Sequence, residues 1–158
     1  MKAATLNELK KELTGLPAKE LVEICLRLAK YKKESKELLT YLIFESDNES
    51  NYITAIKTDI GEQFELLNTS NLYVAKKGLQ KIVRSISKYI KYSGIKQTEI
   101  EVLIYFCRML KESGIPITQN TVIENLYYRQ LAKIEKALNS LHEDLQFDYQ
   151  QEVENLSL

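Results

Sequence analysis

One histidine, two cysteines and a run of lysines are the residues of this chain that could do chemistry. His142 stands in "LHEDLQFD", near the end of the last long apolar pattern. On a helix its neighbours one turn away are Leu138, Asn139 and Gln146, while the adjacent Glu143 and Asp144 fall on other faces. No H-E-x-x-H or E-x-x-H spacing surrounds it, so neither a zinc-protease site nor a di-iron bundle is indicated. The expected role is an imidazolium facing the negative end of a helix dipole.

Cys25 and Cys107 each lie in an apolar stretch, "EICLRLA" and "IYFCRML". Such surroundings disfavour a thiolate, and no C-x-x-C pair is present. Both are expected to be buried, reduced thiols, which fits a cytoplasmic protein. The acidic "ESDNES" lacks the glycine and the twelfth-position Glu of a calcium loop, so helix capping accounts for it better. No glycine-rich phosphate loop follows a strand, because no strand pattern occurs. Catalytic, metal and cofactor residues are therefore left unassigned, and an enzyme is not the expected class.

The basic run is "KKGLQKIVRSISKYIKYSG", residues 76–94, with six cations and no acid in a chain of formal net charge zero. Residues 71–98 carry seven bases and no acid, and residues 34–70 carry eight acids and two bases. At 100° per residue Lys77, Lys81, Arg84, Lys88 and Lys91 fall on one line, flanked by Tyr92. Leu79, Ile82, Val83, Ile86 and Ile90 fall opposite. With a 1.5 Å rise the cationic line is about 21 Å long. These six residues, Tyr92 included, are the candidate partner-binding positions. Two bland accounts stand beside that one: a solvated helix back, or a stripe neutralised by the acidic C-terminal tail.

The elements that would carry these residues are helical nearly throughout. Only five glycines and two prolines occur, too few for the turns of a sandwich or barrel. The pattern predicts about six or seven helices: near 5–14, 17–32, 35–46, 50–67, 71–93, 98–112 and from 118 or 121 onward. Residues 17–46 also admit one long bent helix. Thr98 with Glu101, and Thr121 with Glu124, have capping-box spacing. Gly94 suits a left-handed helix end, and Gly114 with Pro116 stops the next helix. Short connections predict antiparallel helical hairpins near 17–46, 50–93 and 98–144, closed as a bundle or stacked as a short α-α superhelix. One domain over 1–158 is expected, with 1–4 and 147–158 as ends that can fray.

Two helices are apolar around most of their circumference, "LLTYLIF" and "IEVLIYFCRML". Central positions in the core are expected for both, with a dimer interface or apolar ligand pocket as the alternative for the first. Ten tyrosines without a tryptophan suit core edges and contact surfaces alike. No apolar run reaches the length of a membrane span, and no secretory signal is read at the start. The function this supports is a non-enzymatic helical interaction or scaffold module. Its expected partner is an acidic protein or a second copy of the chain. Nucleic-acid or other polyanion binding through 76–93 is the less favoured alternative.

Overall fold

A computed structural model describes all residues, Met1–Leu158, and contains no strand. Helix accounts for 79% of the chain, in line with the all-α expectation. Eight α-helices form: α1 (Leu6–Thr14), α2 (Ala18–Tyr31), α3 (Lys33–Thr40), α4 (Glu49–Glu65), α5 (Leu72–Ser93), α6 (Lys96–Glu112), α7 (Thr121–Leu138) and α8 (Glu143–Glu154). The eighth comes from the C-terminal segment, which adds α8. By contacts the chain falls into two compact units, Met1–Phe44 and Glu45–Leu158.

In the first unit α1 opens with a capping box. The Thr5 N–H donates to Glu8 Oε2 at 2.7 Å, and the Glu8 N–H donates to Thr5 Oγ1 at 3.3 Å. The Thr5 N–H, and next the Thr5 hydroxyl that donates to the same Oε2 at 2.8 Å, hold the Glu8 carboxyl below the usual carboxylate range. Pro17 caps α2 with extended backbone, which suits a residue that has no N–H to pair. Lys32 is also extended (φ −141°, ψ 148°), so 17–46 is two helices and not one bent helix. α2 and α3 pack on one another. α3 runs into a π-helical turn, Tyr41–Glu45.

The core expected for "LLTYLIF" does not form. Tyr41 is buried, but Leu42, Ile43 and Phe44 are 55%, 57% and 75% exposed. Tyr41 is in fact the only buried residue of the whole Met1–Phe44 unit. Cys25, expected inside, is exposed. The physical reason is simple: the unit has only α1 and α2 to cover it, and a nine-residue and a 14-residue helix cannot surround every face of a helix that is apolar all round.

The second unit has a true core, and α6 is its centre. It packs against α4, α5 and α7 and buries Ile100, Val102, Leu103, Ile104, Phe106, Cys107 and Leu110. The Phe64 and Phe106 rings meet at 5.7 Å. α4 contributes Ile53, Ile56 and Ile60, α5 contributes Leu79, Ile82 and Ile86, and α7 contributes Ile123, Tyr127 and Ile134. Gln130 is the costly member: its Nε2 donates to the Leu126 carbonyl, but its buried Oε1 has no partner.

Caps fix the helix starts, and several differ from the sequence expectation. Asn48, Asn71 and Asn120 accept backbone N–H bonds at the starts of α4, α5 and α7. Thr121 is thus the first helical residue rather than the cap. α6 begins at Lys96, directly after Gly94 turns left-handed (φ 68°) and Ile95 extends. Thr98 therefore lies inside the first turn, buried, and makes no capping box with Glu101. The last helical pattern breaks at Asn139, and His142 takes extended backbone and caps α8. Its Nδ1 accepts the Asp144 N–H at 3.4 Å, so the histidine marks a helix start, not the expected helix end.

Candidate interaction surface

α5 brings the candidate cations to the surface because its opposite face is the core face. Ala75, Leu79, Ile82 and Ile86 are buried, and the residues in register behind them are the basic ones. Asn71 starts the helix by accepting from the Tyr73 and Val74 N–H groups at 3.0 and 3.2 Å. Gly94 ends it, its N–H donating to the Ile90 carbonyl at 2.9 Å. The helix runs through Gly78 without a break. A Cβ there would lie 2.1 Å from Leu67 Cδ1, so the glycine admits a close approach by the segment that follows α4.

Lys77, Lys81, Arg84 and Lys91 are exposed. Lys88 and Tyr92 are half-buried and each engages a neighbour. Lys77 lies 4.5 Å from the ring centre of Tyr73, and Lys76 lies 5.0 Å from the same ring. No carboxylate forms an ion pair with Lys77, Lys81, Arg84 or Lys91.

Several acids that could have neutralised the stripe are engaged elsewhere. In the C-terminal segment Glu152 pairs with Arg108 at 2.6 Å, and Lys111 Nζ donates to the Asn155 and Ser157 carbonyls at 3.0 and 2.6 Å. The Tyr127 hydroxyl donates to the Leu156 carbonyl at 2.6 Å, and Tyr149 and Leu156 are buried. The tail is thus held against α6 and α7. On α4, Asp59 accepts from the Tyr89 hydroxyl at 3.2 Å and from Gln63. Glu49 accepts from the hydroxyls of Ser93 and Thr98. These acids meet α5 on its flank, through hydroxyl groups.

A second polar feature follows the α4–α6 seam, and the sequence reading missed it. Lys57 Nζ meets Glu101 Oε2 at 3.0 Å, and the Tyr149 hydroxyl donates to Glu101 Oε1 at 3.2 Å. Burial, and next the negative charge of Glu101, push the Tyr149 phenol up to about 12. Two clefts of about 590 and 270 Å³ open on either side of this pair. Its charges satisfy one another, and the pair presents hydrogen-bonding edges to both clefts. The only sequence signal was Lys57 and Glu101 on the polar sides of two apolar stripes, and nothing in the sequence pairs them.

Burial pushes the Cys107 thiol up to about 12, which removes it as a nucleophile at neutral pH. No group of three or more His, Cys, Asp or Glu side chains is placed to hold a metal ion. No helix is long and apolar enough to cross a membrane.

The class these observations define is an all-helical protein with a buried central helix and an exposed cationic face. No family model matches the chain, and neither a curated protein nor a solved structure shows significant similarity to it.

Proposed function

We propose that the chain is a non-enzymatic helical interaction module whose cationic face on α5 receives an acidic protein partner. The observation that supports it most is the exposure of Lys77, Lys81, Arg84 and Lys91 with no carboxylate paired to them, while the acidic tail is docked on other helices. Isolated surface charges contribute little, but several in register raise association rates and select partners by charge. The second reading is a polyanion such as single-stranded nucleic acid. What favours it is the exposed Tyr73 ring beside Lys76 and Lys77, an aromatic next to cations.

Fluorescence anisotropy with a labelled Asp/Glu-rich peptide, a DNA duplex and a DNA single strand separates these readings. The peptide is expected to bind and the nucleic acids to bind weakly or not at all. Lys77→Glu, Lys81→Glu and Arg84→Glu together should abolish binding and leave the helix signal intact, since all three oppose the buried face. With about four phosphate contacts the log–log salt slope would be near −3.6 for the duplex and about −2.8 for the single strand. Absence of binding by every probe at ~50 mM salt would remove both readings.

A further inference from the structure

The Met1–Phe44 unit lacks what a chain of its length needs to hold its fold. It buries one side chain, and chains near ~40 residues ordinarily require disulfides, metals or association to stay folded. Cys25 is a free thiol, so no disulfide supplies the difference. α1 is nine residues long, and isolated helices shorter than about 12–15 residues are marginal in water. Yet its apolar residues are in solvent: Leu6 is 86% exposed and Leu9 46%. On α2, Ile24, Leu28 and Tyr31 form a second exposed line.

We propose that this unit is a self-association element, in which the apolar faces of α1 and α2 are covered by the same helices of a second copy of the chain. Three observations select that occupant. Leu6, Leu9 and Leu13 are spaced three and four apart, and Ile24, Leu28 and Tyr31 four and three. That is the spacing of helices that interlock at shallow angles, so each line is a fitting counterpart for its own copy about a two-fold axis. The six side chains of the two lines leave roughly 700 Å² uncovered, within the ~600–1,000 Å² per partner of a standard interface. The flanking charges are mixed, nine basic and six acidic over residues 1–44, so copies do not meet as two blocks of like sign. The proposal does not depend on the α5 reading.

The test uses the full chain. Sedimentation equilibrium should give twice the 18.3 kDa chain mass, falling toward the monomer on dilution. Ile24→Glu with Leu28→Glu should give a monomer that keeps the cooperative melt of the second unit. A thiol readout on the unaltered protein guards against misfolding of that variant. Cys107 is fully buried, so Cys25 is the accessible thiol. It stands about 60° from Leu28 on the α2 wheel, at the edge of the face to be covered. Its reaction with a chromogenic disulfide should slow several-fold as protein concentration rises. A monomer mass at every concentration, with Cys25 reacting at one constant rate, would overturn the proposal.

Discussion

At the scale of single residues, burial decides which chemistry is left. The Cys107 thiol loses its proton near pH 9.0 in an unfolded chain but holds it to about 12 in the native protein. Between those values the native state binds more protons, so stability falls as pH rises through the interval. The slope reaches about 1.4 kcal/mol per pH unit for this one group. Urea midpoints measured at about pH 8.5 and 10.5 should therefore drop less in Cys107→Ala than in the unaltered protein, even though the variant starts lower because of the cavity. Equal drops would mean that the thiol is not the group that burial protects. The same scale explains why Cys25 and Cys107 looked alike in the sequence. Each sits among apolar neighbours along the chain, and only the packing of other helices separates a buried position from an exposed one.

At the scale of an element, α5 shows how a helix tolerates a glycine in its interior. Gly78→Ala gains roughly 1 kcal/mol of helix propensity but drives a methyl group into Leu67. Alone it should be neutral or destabilising. In a Leu67→Ala background it should stabilise by about 1 kcal/mol, and a double-mutant cycle by urea melting reads the coupling. Additive effects would mean that Leu67 moves aside freely. The existence of α5, its amphipathic face and its Gly94 stop are legible from three-four spacing alone. The caps were read less well. Thr98 with Glu101 has the right spacing, but Gly94 and Ile95 start the helix earlier, and Thr98 is drawn inward to Glu49. Thr5 with Glu8 has the same spacing and does form the box, so spacing is a signal only once the helix start is known. The Lys57–Glu101–Tyr149 cluster joins three helices, and no local pattern records such a contact.

At the scale of the molecule, the two units differ in what holds them. The second closes around α6, and the all-round apolar character of "IEVLIYFCRML" was enough to foresee that. The same character in "LLTYLIF" pointed to the core and met solvent instead, because composition tells how much surface must be covered and not what covers it. Lys32 carries a consequence of this division. It is the one exposed, extended residue between α2 and α3, so the bond that follows it is open to trypsin where helix does not shield the backbone, with Lys30 and Lys33 at the adjoining helix ends. Brief digestion under native conditions should cut there first and release a fragment carrying α1 and α2, seen on a denaturing gel. The cations of α5 should outlast it, since Lys81 and Arg84 lie in the middle of a helix fastened to a core. Early scission within α5 would contradict that order. A protease thus distinguishes two sets of basic residues that charge alone cannot tell apart.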